Sequence, residues 1–338
     1  MKTVVVTGCA GLLGAHLSRH LLAKGYRVIG IDDLSGGYAD YLPKEFGPEQ
    51  FEFWPINLAD AWASKPLDHI FSQNDVVACY HFAAYAAEGL SPFIRHFYYA
   101  NNVLSSVNII NECIKHNAKL IFTSSMAVYG DQEAPFRESQ KPAPIDPYGV
   151  AKYAVEQDIK IAHDQHGLDY TIIRPHNVIG IYQNIWDKYR NVVGIFIRKV
   201  IDGEPLLIYG DGQQTRAFSD IKYYLEPFEK LMHICNGYTF NMGADKEYTL
   251  NELADIVLKV ASKKGFEATK QHVEARHEVK HAYSDHSLVK DPRNLGFHDG
   301  TDLEKTVEEM FDWALTQPKR EQKKMSYEVE KGIYAYWK

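Results

Sequence analysis

Val4-Val5-Val6-Thr7-Gly8-Cys9-Ala10-Gly11-Leu12-Leu13-Gly14 stands near the start of this 338-residue chain, and its reading decides the fold. A β-branched run stops at a glycine-rich turn. A helical pattern of Leu12, Leu13, His16, Leu17, His20, Leu21 and Leu22 follows. Strand, glycine turn and helix in that order are what a dinucleotide-binding loop needs. Gly8 permits the tight turn, Gly11 lets backbone approach a pyrophosphate, and Gly14 lets the helix pack on its strand. The free amides of the helix start would face the phosphates, with Leu12 and Leu13 in the same expected cofactor contact. The spacing is Gly-x-x-Gly-x-x-Gly rather than Gly-x-Gly-x-x-Gly. A second strand, Arg27 to Ile31, ends in Asp32-Asp33. An acid about 20 residues beyond the glycines is placed to bind both hydroxyls of an adenosine ribose. It would repel a 2′-phosphate, and no Arg or Lys follows before Lys44, so NAD is expected over NADP. Asp33 reads as a cap of the next turn.

Outward from this loop, strands alternate with helices. Phe51–Ile56, Val76–His81, Lys119–Phe122 and Tyr170–Ile173 read as strands. Amphipathic helices are expected over about 93–116 and 148–166. This alternation predicts an α/β fold, a Rossmann-type doubly wound parallel sheet. Beyond it the pattern loosens into a smaller mixed α/β C-terminal substrate-binding region. It holds a short strand Leu206–Tyr209 and helices over 249–264 and 301–317, capped by Thr249 and Thr301. The expected division is residues 1–178 for cofactor binding and 179–338 mainly for substrate, with about 216–245 returning to the first domain. Phe82, Ala83 and Ala84 follow a strand, and small side chains there let backbone lie against a flat ligand.

A hydrophobic fraction of 45% and a charged fraction of 24% are those of an ordinary globular protein. A net charge of −7 argues against a nucleic-acid surface. Cys9, Cys79, Cys113 and Cys235 lack paired or metal-ligand spacing, which points to a reduced, cytoplasmic setting. No apolar run is long enough to span a bilayer, and no leader segment is read at the start. His272, His277, His281 and His286 lack partner carboxylates or thiolates. They are read as solvated loop and strand edge, so no metal is expected.

Asp146-Pro147-Tyr148-Gly149-Val150-Ala151-Lys152 puts a phenol and an ammonium one helical turn apart. A lysine so placed stabilises a tyrosinate, making a base of a phenol whose usual pKa is about 10. Tyr327 and Lys331 repeat the spacing, where a solvated helix face is expected.

Together these stretches resemble the extended short-chain dehydrogenase/reductase family, in its NAD-dependent nucleotide-sugar epimerase and dehydratase group. The resemblance also rests on His81-Phe82-Ala83-Ala84, Tyr99-Ala100-Asn101-Asn102-Val103 and Ser124-Ser125 with Val128-Tyr129-Gly130. Further along come Arg174-Pro175 with Asn177-Val178, Gly210 to Arg216, Phe240-Asn241-Met242-Gly243, Arg276 and Leu295-Gly296-Phe297. It implies Tyr148 as catalytic base and acid, Lys152 as holder of the nicotinamide ribose that also lowers the Tyr148 pKa, and Ser125 as partner of a sugar 4-hydroxyl. Asn57, Leu58 and Asn102 would join the cofactor site. Asn177, Arg216 and Arg276 would hold a nucleotide diphosphate, with Glu88 also on the substrate side. Tyr283, seven residues after Arg276, would gate the sugar 2-substituent and favour an unmodified hexose. Arg190 could serve a hexuronate carboxylate. Dehydratases of the group place Asp and Glu after the catalytic hydroxyl. Met126 and Ala127 stand there instead, leaving Tyr148 as the only evident proton-transfer group. The resemblance then implies a homodimeric 4-epimerase of UDP-glucose and UDP-galactose, with a UDP-glucuronate 4-epimerase or a 4-keto-sugar reductase as alternatives and a 4,6-dehydratase behind them.

Overall fold

The computed structural model describes residues 1–276, 278–321 and 324–337; His277 lies outside them. The first half lays down β1 (Thr3–Thr7), α1 (Leu12–Ala23), β2 (Arg27–Ile31), β3 (Phe51–Trp54), α2 (Ser64–Ser72) and β4 (Val76–His81). Then come α3 (Arg95–Tyr99), α4 (Ser105–His116), β5 (Lys119–Thr123), α5 (Pro147–His166) and β6 (Tyr170–Pro175). The second half holds β7 (Asn177–Ile179), α6 (Val192–Ile201), β8 (Leu206–Tyr209), β9 (Thr215–Asp220), α7 (Leu225–Leu231) and β10 (Tyr238–Met242). It ends with β11 (Glu247–Thr249), α8 (Leu250–Lys263), β12 (Lys270–Val273), β13 (His281–Ala282), α9 (Ser287–Lys290) and α10 (Leu303–Thr316).

Among the described residues the large sheet has seven strands in the order β10-β6-β5-β4-β1-β2-β3. Its neighbours pair in parallel throughout. Both faces are covered, so the middle of β1, Val4 to Val6, is continuously apolar, as suits a doubly covered strand. Val4 and Val6 pack with Leu17 and Leu21 of α1. Val5, one residue out of phase, packs with Ile109 of α4 and Val155 and Ile159 of α5. The second half has its own core, where α6, α8 and α10 close over Ile208 and Phe218. Its small sheet joins β11, β9 and β13, with β7 also on β9. The strand β10 instead pairs with β6 in the large sheet, so the chain crosses back after β9.

Several element ends are set by identifiable side chains. Asp146 caps α5 by accepting from the Gly149 amide at 2.9 Å, Pro147 opens the helix, and Gly167 closes it at a φ of 72°. Thr249 and Glu252 form a capping box on α8. Asp302, not Thr301, caps α10; the Thr301 hydroxyl is used by Asp299 and the Asp220 amide. The expected helix over 93–116 is broken. Residues Ala100–Leu104 form a π turn between α3 and α4. Asn101 and Asn102 donate to the Phe97 and Tyr98 carbonyls, and Ser105 and Ser106 to those of Asn101 and Asn102. Side chains that compete for helix carbonyls favour such a bulge. Leu104, Val150 and Ile161 remain exposed on and beside α4 and α5, the helices expected to pair in a homodimer. Among the described residues no helix is long and apolar enough to cross a membrane.

Candidate active site

A cavity of about 960 Å³ opens beyond the carboxyl ends of the parallel strands, where open α/β sheets bind ligands. Its cofactor end is built by the loop after β1. Gly8 sits at a φ of +69°, and a Cβ on Gly14 would fall 2.2 Å from the Gly8 carbonyl oxygen, so α1 could not dock with any side chain there. A Cβ on Gly11 meets nothing closer than 3.4 Å, so that residue opens onto the cavity. The N-terminus of α1 has no side-chain cap, which leaves its amides to a ligand. Gly8, Gly11, Leu12, Leu13 and Gly14 all line the space, with Asn57, Leu58, Phe82, Ala83 and Ala84. Asp32 accepts from the amides of Ala10 (3.0 Å) and Leu34 (2.8 Å), and burial raises its carboxyl above the usual range despite them. A carboxylate has four acceptor positions, so two remain for ribose hydroxyls. Asp33 accepts from the Ser35 amide, as a turn cap should. Bare glycine backbone, uncapped amides and a buried acid together fit NAD. Asn57 spends its amide locally, accepting from Ala59 and donating to Asp60.

Ser125, Tyr148 and Lys152 meet at the middle of the cavity. The first turn of α5 lies on the 126–129 turn, where a Cβ on Gly149 would come within 2.5 Å of the Ala127 carbonyl. That close seat sets the Tyr148 phenol near the Ser125 hydroxyl, which itself accepts from the Ala127 amide at 3.1 Å. Burial pushes the phenol up to about 12, Glu88 and Asp146 add to this, and Ser125 and Arg190 oppose it. Lys152 lies one turn on, donating to the Thr123 carbonyl at 2.7 Å over the Phe122 ring. Burial pushes its amine down to about 7, with Glu156 opposing. The expected lowering of the Tyr148 pKa by Lys152 is therefore not found: burial is the largest influence on each group and opposes the charge on both. A linkage effect follows. Lys152 titrates near 7 folded against its usual 10.5. Its penalty is full below about pH 7 and fades as pH rises towards 10.5. Lys152→Met should thus raise the melting temperature of NAD-stripped protein, and raise it more at pH 6 than at pH 9. Equal gains at the two pH values would show that the amine stays hydrated.

Glu88, Asn177, Arg216 and Arg276 also line the cavity, whereas Arg190, likewise on its wall, reaches towards the cofactor loop, where its charge acts on Asp32. Glu278 receives Arg216 at 3.0 Å and Arg276 at 3.1 Å, so two guanidinium groups already converge on one anionic oxygen. Forked donors of this kind suit a diphosphate. Asn177 donates to the Ala217 carbonyl. Glu88 is enclosed by protein yet wetted by the cavity. Desolvation and Asp146 raise its carboxyl, while Arg216 and Arg276 pull it back.

Several expectations need correction. Asn102 is not on the cavity wall. It is 1% exposed and spends its amide on the Tyr85 and Tyr98 backbones, while Asn101 lines the cavity. Tyr283 is not there either. The neighbouring residue on the two-residue strand β13, Ala282, faces the cavity, so the proposed gate against a 2-substituent falls. Arg190 is paired with Asp187 at 3.1 Å and donates to the Gly36 carbonyl, which leaves little uncompensated charge for a hexuronate. Tyr148 is not the only proton-transfer group at the site, because Glu88 and Asp146 share the cavity. Tyr327 and Lys331 are not on a helix; the Tyr327 phenol meets the Tyr189 hydroxyl at 2.9 Å, and Lys331 lines the cavity. His272 and His281 are exposed as expected, but His286 is buried against His176, nitrogen to nitrogen at 2.9 Å, with Asp245 on its other nitrogen. Among the described residues these histidines form no three-ligand cluster. Tyr209 and the terminal Tyr334, Tyr336 and Trp337 also line the site without having been singled out. Their aromatic crowding in a polar tail was the available signal.

The chain is similar to known proteins in sequence and in fold. The sequence model of the NAD dependent epimerase/dehydratase family matches residues 4–242. A UDP-glucose 4-epimerase of Caenorhabditis elegans is 28% identical, over 93% of this chain and 98% of its own. A crystal structure of UDP-glucose 4-epimerase with UDP-glucose from Thermotoga maritima is 27% identical, with a TM-score of 0.84 over 93% of this chain and 98% of that one. UDP-N-acetylglucosamine 4-epimerase from Methanobrevibacter ruminantium, in complex with UDP-N-acetylmuramic acid, is 30% identical, with a TM-score of 0.84 over 94% and 99%. With a matched segment that runs from β1 to β10 and a loop built for the cofactor, this chain belongs to the NAD dependent epimerase/dehydratase family, and its cofactor is NAD.

Proposed function

We propose that this chain is a nucleotide-sugar 4-epimerase of the UDP-glucose/UDP-galactose type. The observation that carries the reading is the meeting of Ser125, Tyr148 and Lys152 in one cavity beside Met126 and Ala127, which have no proton to transfer. NAD, when bound, supplies reversible oxidation and reduction at the sugar C4. Tyr148 takes the 4-hydroxyl proton as C4 is oxidised and returns it when C4 is reduced. Ser125 shares that hydroxyl and orients it. Arg216 and Arg276 hold the diphosphate, the part of the substrate that does not react, while the sugar turns between the two half-reactions. The remaining carboxyls have other employment. Asp146 caps α5, and Glu88 faces the two arginines. C5 and C6 are thus left without an assigned acid and base.

Incubation with UDP-galactose should give UDP-glucose, read by NMR, without net consumption of cofactor. Stoichiometric oxidation of NADH or NADPH by a 4-keto sugar, with no interconversion, would make it a reductase instead. One observation favours a second substrate pair. Ala282 stands on the wall where Tyr283 was expected, so room for a 2-N-acetyl group is not closed off. The UDP-N-acetylhexosamines therefore belong in the same assay.

A further inference from the structure

Residues 331–337 form part of the cavity wall. The segment that carries Lys331, Tyr334, Tyr336 and Trp337 folds back over the cavity and contributes to its wall. It is not loosely laid there. Trp337 is 4% exposed and Ile333 8%, both in one apolar cluster with Leu90, Phe93 and Tyr98. The Trp337 carbonyl accepts from Tyr327 (2.9 Å) and Lys188 (3.3 Å), and the Glu328 carboxylate takes the amides of His96 and Phe97 at the start of α3. A plug that must leave before substrate enters would not be tied into the core in this way.

The position of Tyr336 says which part of a ligand it serves. Its ring stacks on Tyr209 at 4.5 Å, and the Arg276 guanidinium lies 4.7 Å over that same Tyr209 ring. Tyr334 continues the stack at 5.2 Å with rings within 4° of parallel. Tyr336 therefore stands at the arginine end of the cavity, beside the groups suited to a diphosphate. Its hydroxyl and the Arg276 Nε are both buried, and among the described residues neither has a hydrogen-bond partner. A buried polar atom without a partner is costly; both residues belong to the cavity wall, so a ligand seated against them that draws these atoms out completes the bonding. Given the nucleotide-sugar reading above, on which this rests, we infer that Tyr336 hydrogen-bonds the nucleoside half of a bound nucleoside diphosphate, with Arg276 holding the adjoining phosphate.

The test compares the affinity of NAD-loaded wild type, Tyr336→Phe and Tyr336→Ala for UDP and for inorganic pyrophosphate. NAD content and melting temperature serve as controls of fold. Loss of one buried hydrogen bond should weaken UDP binding about 10-fold in Tyr336→Phe, and further in Tyr336→Ala, where the stack is lost too. Pyrophosphate, which lacks a nucleoside, should bind all three alike, and with the UDP-sugar the loss should appear in KM rather than kcat. UDP binding unchanged in Tyr336→Phe would overturn the assignment. Tighter binding in Tyr336→Ala would overturn it as well and make the segment a cover. Wild type that binds NAD but no nucleoside diphosphate would remove the nucleotide-sugar reading itself, and this inference with it. Should Tyr336→Ala misfold, Tyr336→Phe decides, because it keeps the ring.

Discussion

Tyr148→Phe is expected to lower turnover by at least about 100-fold, the range of general acid–base catalysis, while NAD still binds. The substitution removes one oxygen. The ring keeps its edge contact with Tyr98 at 5.9 Å, and Asp146 still caps the helix that carries it. The glycine loop and Asp32 do not touch Tyr148 through any hydrogen bond, so cofactor content should match wild type. The size of the effect follows from the absence of a substitute at the right place. Met126 and Ala127 cannot carry a proton, and Glu88 sits under the influence of two arginines. Assayed as conversion of UDP-galactose to UDP-glucose, a rate unchanged from wild type would take Tyr148 out of the mechanism. The wild-type rate should also climb with pH on its acid side, because burial pushes the phenol up to about 12 and so holds it protonated.

Glu156→Gln should cost about 3–5 kcal/mol of stability, the usual loss when one member of a buried ion pair is removed. Glu156 is 0% and Arg174 2% exposed, and the two are joined through both carboxylate oxygens at 2.5 and 2.8 Å. Ser124 donates to the same carboxylate at 2.5 Å, and Tyr129 meets the guanidinium at 2.7 Å. The amide keeps the shape but strands a guanidinium with no counter-charge. With an unfolding entropy of about 2.1 cal/mol/K per residue, a cooperative 338-residue chain would lose roughly 4–7 °C in Tm. Calorimetry at matched NAD concentration measures this. An unaltered Tm would show that the pair is worth no more than its desolvation. Replacing both residues by apolar ones of like volume should recover much of the loss, because no charge is then left buried. Glu156 also opposes the depression of the Lys152 amine, so the same network bears on the site.

The sheet and the cofactor loop were legible because each rests on local chemistry. β-branched runs, glycines at a turn, and a cap followed by Pro147 all act within a few residues of themselves. The site was legible wherever a residue follows directly on such an element, as Gly11, Asp32, Ser125 and Tyr148 do. Elsewhere the deciding contacts come from far away in the chain. Asn101 and Asn102 differ only in which of them the π turn rotates inward, and periodicity does not register a π turn. Ala282 is set by the pairing of a two-residue strand with Thr215 and Arg216, and Tyr283 falls just beyond that strand. His286 reads as a loop residue until His176, 110 positions away, is brought onto its ring. Tyr336 shows only as one of several aromatics in a polar tail; its place depends on Tyr209.

The return of β10 to the large sheet also governs how the chain can be divided. The substrate half is an excursion that leaves after β6 and must come back to complete the same sheet. A fragment ending at residue 178 would keep the glycine loop, Asp32 and Tyr148, and so look sufficient on paper. It would lack the strand that covers Tyr170–Pro175, exposing the backbone of β6 along its length. An uncovered, flat, apolar edge invites pairing with other chains. Such a fragment is therefore a candidate for aggregation rather than a portable cofactor-binding unit, and a split or permuted version of the protein would have to keep residues 238–242 with the first half.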